Sequence, residues 1–383
     1  MGRYSKVGLR LVLWLGGIAW VVGAPVPDRA VEVAGNRAGP VLTLTAAGDV
    51  IMHSPIVNSA YNPRDGGYDF RPIFSGIKAD LTAADLAVAV LETPLNAPGK
   101  NFSGYPCFNA PGAIADALQW AGIDLVFTAH NHALDQGMAG IRGTISYLNR
   151  ICLPQVGLKS NATEPDFKIL EARGIKVAFF AYTTSTNGLS PPAGEEWALN
   201  LLNYQKLAVS VKEAKEMGAE LTVLALHTGT EYQRTPSAEQ AAIMTKLAEL
   251  GIDIILGSHV HVIQPYELRR VTDSDQTRYC FTAYSLGNFL SNQQWRYSDC
   301  GLVVTLELQK NKDRPGFVFN KISHFPVWVE RHPKNGKYGY LIKKVSDPDA
   351  ATDPTVDRED RLRMAEVWRE TEALLDSWGD RYQ

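Results

Sequence analysis

The stretch "IDIILGSHVHVIQP", residues 252–265, places His259 and His261 directly after an apolar run. The chain has 8 histidines among 383 residues, so a close pair needs a reason. Each imidazole could sit half-buried against a backbone carbonyl, or both rings could face one metal cluster. Nothing local separates these readings, but the other apolar runs do. "VLTLTAA" (41–47) leads to Gly48 and Asp49, and "LAVAVL" (86–91) to Glu92. "DLVFTA" (124–129) leads to His130, Asn131 and His132, and "LTVLAL" (221–226) to His227.

The runs are continuous rather than alternating, which suits strands covered on both faces. Helical stretches separate them, the pattern of an α/β domain. In open α/β sheets, ligands bind beyond the carboxyl ends of the strands. A run of this kind that ends each time on Asp, Glu, Asn or His is hard to explain by packing, because an unpaired carboxylate beside a core is costly. Oxygen and nitrogen ligands without thiolate suit Zn, Mn or Fe better than calcium.

The segments between the runs fit helices. Residues 111–123 carry Pro111 in a first turn. Residues 140–151, 202–220 and 237–252 follow, the last with Ser237 and Gln240 as a capping box. A net charge of -3 argues against nucleic acid as a partner and offers no basic patch to an anionic membrane. "LVLWLGGIAWVVGA" (11–24), after Arg3 and Lys6, reads as a signal peptide, shorter than a comfortable membrane span; the alternative is an uncleaved anchor. Export is the expectation, to the periplasm or the medium. The chain then divides into a leader (1–24), a linker (25–40), one domain (41–345), and a link with a C-terminal amphipathic helix (346–383). Cys107, Cys152, Cys280 and Cys300 allow up to two disulfides in an exported protein, or stand as buried free thiols.

Six motifs in order carry a resemblance: "AAGDVIMH", "VLETPL", "TAHNHALDQG", "LHTGTEY", "GSHVHVIQP" and "YSLGNF". Together they resemble the CapA, or poly-γ-glutamate capsule-synthesis, family of the calcineurin-like metallophosphoesterase superfamily, over roughly residues 42–295. The resemblance implies a four-layer α-β-β-α sandwich and two divalent metals, Mn, Fe or Zn. By position, Asp49 would bind the first metal and Glu92 would bridge both. Asn131, His227 and His259 would hold one metal, and His261 would complete the other. His132 would face the leaving group. The superfamily usually has a histidine where Ile51 stands; His53 either takes that role or lines the pocket. His130 and Thr228 stand where the family more often has Asn and Trp, so His130 is a group supporting the ligands from behind, a pocket group that contacts substrate, or a tolerated substitution.

Asp135, three residues after His132, either orients that imidazole or caps the helix that follows. Glu231 could orient a ligand histidine or meet a substrate cation, and Asn288 could contact substrate or fix the loop beneath His261; the alternatives are a solvated loop carboxylate and a loop amide that satisfies backbone groups. His324 and His332 read as structural, and Trp295, Tyr297 and Trp328 as core or rim packing. "GLVVTLELQ" (301–309) and "GFVFNKISHFPVWVE" (316–330) read as strands completing the second sheet. Residues 358–378 read as an amphipathic helix, with Leu362, Val367, Leu374, Leu375 and Trp378 on its apolar side. The function this implies is an exported metal-dependent hydrolase, a phosphoesterase acting on an envelope or capsule-related substrate. The alternatives are a binding or assembly protein for an anionic polymer, working with membrane capsule-synthesis proteins, and an amidase on such a polymer.

Overall fold

The structure is a computed structural model that describes residues 37–99, 101–273, 276–312, 316–334, 336–346, 348 and 356–378. The expected leader and residues 25–36 lie outside the described residues. In chain order the strands are β1 Arg37–Val50, β2 Tyr61–Asn62, β3 Gly67–Tyr68, β4 Leu86–Leu91, β5 Leu125–Phe127, β6 Gln155–Val156, β7 Phe167–Ala172 and β8 Ile175–Thr183. They continue with β9 Leu221–His227, β10 Ile254–Ser258, β11 Tyr266–Asp273, β12 Gln276–Ala283, β13 Asn288–Leu290, β14 Cys300–Asn311, β15 Phe317–Lys334 and β16 Lys337–Lys344. The helices are α1 Ser54–Ala60, α2 Lys78–Thr82, α3 Ala113–Ala121, α4 Gly137–Arg150, α5 Tyr204–Glu216, α6 Ala238–Glu249 and α7 Arg358–Trp378.

Two large sheets result. One runs β16-β15-β14-β1-β4-β5-β6, with β13 paired to the end of β1; the other runs β11-β12-β10-β9-β8-β7. The strands β1, β4, β5 and β6 are mutually parallel, as are β8, β9, β10 and β12. Successive side chains of a strand point to opposite faces, and here both faces are dry. In β4, Leu86, Val88 and Val90 join the central core, while Ala87, Ala89 and Leu91 pack with Ile56, Leu81 and Leu118 of α1 to α3. In β9, Leu221 and Val223 meet the central core, while Leu224 and Leu226 pack with Leu207 of α5 and Met244 of α6. The layers are therefore helix, sheet, sheet, helix, and the apolar runs are continuous because central strands such as β4 and β9 have two buried faces.

Three expectations need correction. The late strands β14 and β15 join the sheet of β1, not the second sheet: β14 runs antiparallel along β1, with Leu42 opposite Leu308 and Leu44 opposite Leu306. β1 itself starts at Arg37, inside the stretch read as linker. At α6, Ser237 caps as expected, its Oγ accepting from Gln240 N at 3.1 Å. The Gln240 amide does not return to Ser237; it donates to Gln264 Oε1 and Tyr284 O, because it is buried against that loop. The four cysteines are free, with Cys280 and Cys300 buried and Cys107 and Cys152 exposed. α7 packs back on the domain through Val367 and Leu375, which belong to the central core, while Leu362 stays exposed.

Candidate metal centre

The strand ends meet because one segment crosses them. Residues 284–290 pass over the ends of both sheets, close enough to require glycine beneath. A Cβ at Gly48 would lie 1.9 Å from Gly287 O, and one at Gly257 would lie 1.9 Å from Tyr284 O. Asp49 N–H donates to Gly287 O at 2.9 Å, and Leu286 N–H donates to Gly257 O at 3.1 Å. Asp49 of one sheet and the His259 turn of the other are thus tied to the same strap. His259 N–H donates to Asp49 Oδ2 at 3.2 Å.

The two histidines of the opening stretch are backbone outliers. His259 has φ 93° and His261 φ 62°, a left-handed conformation that costs a non-glycine residue about 1–3 kcal/mol. The His261 ring turns toward the carboxylates and the His259 ring toward His227. Ligand atoms of Asp49, Glu92 and His227 all lie within 4.8 Å of one another, and all three residues are buried. Glu92 divides the donors: Oε1 is 3.6 Å from His227 Nε2, and Oε2 is 3.9 Å from His261 Nδ1. On the first side, His227 Nε2 is also 3.0 Å from Asn131 Oδ1 and 3.2 Å from His259 Nδ1. On the second, His261 Nδ1 is 3.9 Å from Asp49 Oδ2.

This cluster lacks what a buried cluster needs. Both oxygens of Glu92 and Oδ1 of Asp49 have no hydrogen-bond partner, although neither residue is exposed. Burial pushes the Asp49 carboxyl up to about 7, offset in part by the His259 N–H. Burial, and then the Asp49 charge, push Glu92 well above the usual carboxylate range. Burial holds His259 down to about 4 and His261 down to about 3, and holds His227 well below its ordinary value. Orphaned acid oxygens that converge with neutral imidazole lone pairs form a donor set that a divalent cation satisfies. The residues fit a metal.

A pocket of about 740 Å³ opens over the cluster, with Glu92, Asn131, His132 and His261 in its lining. His132 Nδ1 is 2.8 Å from Asp135 Oδ2. The same oxygen accepts Phe108 N–H at 2.7 Å, and the Phe108 ring meets His132 edge to face at 4.7 Å. Asp135 therefore orients the imidazole and does not cap α4, whose N-cap position is Gln136.

Other expected residues fall elsewhere. His53 lines the pocket and makes none of the cluster's contacts; its Nδ1 accepts Asn292 N–H at 3.3 Å, and burial lowers it to about 4. His130 is not a substrate contact: it is 1% exposed, outside the pocket lining, with its ring 6.1 Å from that of His227. Nor is Asn288, which is fully buried, faces His261 Nδ1 at 3.2 Å and donates to Gln293 Oε1 and Ser298 O. It fixes the loop beneath His261. Glu231 and Trp295 do line the pocket. Three residues were missed by the sequence reading. Ser258 Oγ lies 2.9 Å from His227 Nδ1, Asn187 Oδ1 accepts from Asn131 Nδ2 at 3.2 Å, and Phe108 walls in His132. Asn187 follows β8, an apolar run of the same kind as the others, so its signal was present.

The chain is 27% identical over 318 residues to the capsule biosynthesis protein CapA of Bacillus anthracis, covering 81% of this chain and 73% of that one. It is 29% identical over 195 residues to the PGA biosynthesis protein CapA of Bacillus subtilis (strain 168), but spans only 49% of that protein's length. Among solved structures, the calcineurin-like phosphoesterase YfkN of Bacillus subtilis aligns over 88% of this chain and 98% of its own, at 15% identity and a TM-score of 0.41. The family model described as bacterial capsule synthesis protein PGA_cap matches residues 43–293, which run from β1 to just past β13 and include every residue of the cluster and the His132–Asp135 pair. The chain therefore belongs to the PGA_cap family of bacterial capsule synthesis proteins.

Proposed function

We propose that the pocket hydrolyses phosphoesters with two divalent metals, Mn, Fe or Zn, held by Asp49, Glu92, Asn131, His227, His259 and His261. The observation that carries this is the split of donors about the two Glu92 oxygens, with the His132–Asp135 pair in the same pocket. When bound, such ions supply Lewis acidity toward a phosphoryl oxygen and lower the pKa of water. The chain supplies the rest. Asp135 accepts the Nδ1 proton of His132 and so leaves Nε2 as the nitrogen that serves the pocket. An imidazolium in that position can protonate a departing alkoxide. Phe108 keeps water from one side of the ring. The apolar run at 11–24 and the family description support action outside the cytoplasm, on an envelope or capsule-related substrate.

A second reading rests on the family description: handling of a capsule polymer, with membrane partners and without phosphoester turnover. One preparation separates the two. Bound metal is measured by elemental analysis and turnover with bis-p-nitrophenyl phosphate and Mn(II). In His132→Ala, turnover of a dialkyl phosphodiester, which must lose a basic alkoxide, is expected to fall by about 10²–10⁴-fold with the metal retained. That of bis-p-nitrophenyl phosphate, whose phenolate leaves without a proton, should fall by much less. Full activity of that variant on the dialkyl ester removes the proton-donor role. Metal without turnover in the parent protein moves the weight to polymer handling.

A further inference from the structure

The mouth of the pocket is aromatic. Tyr105, Tyr232 and Trp295 line it and are 76%, 43% and 53% exposed. The Tyr232 and Trp295 rings meet edge to face at 5.6 Å, and Tyr232 lies 5.8 Å from the His261 ring. The rim thus begins one ring away from the metal cluster. It is also fixed. Tyr232 has φ 64°, and its N–H donates at 2.8 Å to the carbonyl of Val260, the residue between the two cluster histidines. Gln293 Nε2 donates to its hydroxyl at 3.2 Å.

The charge around this rim has one sign. No lysine or arginine lines the pocket. The two arginines that lie close by in sequence are engaged elsewhere: Arg234 and Arg296 stack on the Tyr297 ring at 4.2 and 5.1 Å, and both bind Glu370. Glu231 lines the pocket, is exposed, and has its one side-chain partner among the described residues in the neighbouring Tyr232, an uncharged group. A polyanion leaving the cluster would meet this carboxylate with no cation to offset it. A cation would meet π-faces and a counter-charge, the arrangement by which aromatic cages hold quaternary ammonium groups.

We propose that Glu231, Tyr232 and Trp295 form a subsite for a cationic group, a protonated amine or quaternary ammonium, carried on the organic part of the substrate. The inference rests on the hydrolase reading for where the phosphoryl group sits, but the subsite can be read without turnover. Choline and its neutral isostere 3,3-dimethylbutan-1-ol are titrated against the metal-loaded protein and followed by the ligands' NMR signals. Choline is expected to bind about tenfold more tightly than the isostere. Glu231→Gln and Trp295→Ala should each erase most of that preference with bound metal unchanged. Equal affinity for the two ligands, or a preference that survives both substitutions, overturns the subsite. The p-nitrophenyl phosphodiesters of the same two alcohols then separate the readings. A choline preference without turnover of either ester keeps the subsite and removes the hydrolase. Turnover of both esters with equal KM, without a choline preference in binding, removes the subsite and keeps the hydrolase.

Discussion

On β15 the His324 ring is bonded on both sides, to Tyr266 Oη at 2.9 Å and Glu372 Oε1 at 2.9 Å, whereas at the end of β10 the His261 ring has Asn288 Oδ1 at 3.2 Å and two carboxylates only at 3.9 Å. The neighbourhoods follow their histidines. Near β15, Arg363 takes both oxygens of Asp299 at 2.9 and 2.8 Å. Even the buried pair Lys159–Asp166, at 2.8 Å, adds bonds from Tyr182 and Ser210. At the strand ends, neither oxygen of the Glu92 carboxylate has a hydrogen-bond partner. Both regions set histidine beside acidic side chains, the strand-end acids being the more deeply buried, yet it is the strand-end set that goes unsatisfied. Buried polar groups that complete one another's hydrogen bonds hold the fold together, and those that leave one another short are arranged for something else.

Removing an orphan is the hardest test of that contrast. In Asp49→Asn the amide oxygen can still accept from His259 N–H, but a donor of the cluster loses its charge. Bound metal is expected to fall to background, and phosphoester turnover with it. At a pH above the raised Asp49 value of about 7, the metal-free variant should be more stable than the metal-free parent, by roughly 1–3 kcal/mol, because a buried unpaired charge has been removed. Elemental analysis and urea denaturation read the two effects. Retained metal, or a loss of stability, would mean that Asp49 is a structural carboxylate like Asp299.

The same orphans set a pH dependence. Asp49 and Glu92 have raised values in the metal-free fold, so between about pH 4 and about pH 7 that fold keeps protons the unfolded chain has lost. On this account the metal-free protein loses stability as the pH rises through that window. His259 and His261 act in the opposite sense, since the unfolded chain protonates them below about pH 6.5 and the fold does not. Metal competes only with protons that the folded site holds. From about pH 5 upward those sit on the two acids and not on the imidazoles. The difference in Tm between metal-loaded and EDTA-treated protein should therefore widen from about pH 5 to about pH 7. A constant difference would show that the acids are already ionised without metal.

What the sequence showed and what it hid divide along the same line. The strand ends were legible because an apolar run and the polar residue that stops it are local features. Asp49, Glu92, Asn131, His227 and His259 all stand where those runs place them. The sheet that takes β14 is decided by its register against β1, more than 250 residues away (Thr45 opposite Thr305), and no local pattern carries that. Asp135 could not be separated from a helix cap, because the same spacing serves both and only the Phe108 N–H fixes the side chain. His130 and Asn288 looked like contacts by adjacency, whereas burial puts them behind the wall of the site.

The smallest effect comes from the satisfied histidine. His324→Phe keeps a ring of similar shape between Tyr266 and α7 and deletes both hydrogen bonds. Each net bond is worth about 1 kcal/mol. Glu372 is partly exposed and can turn to water, so its share of the loss is small. The expected cost is about 1–2 kcal/mol of unfolding free energy, with bound metal and choline affinity unchanged. If metal content falls with stability, the β15–α7 face is coupled to the strand ends through the central core that Val367 and Leu375 share with Leu256 and Ile263, and the two regions are not independent.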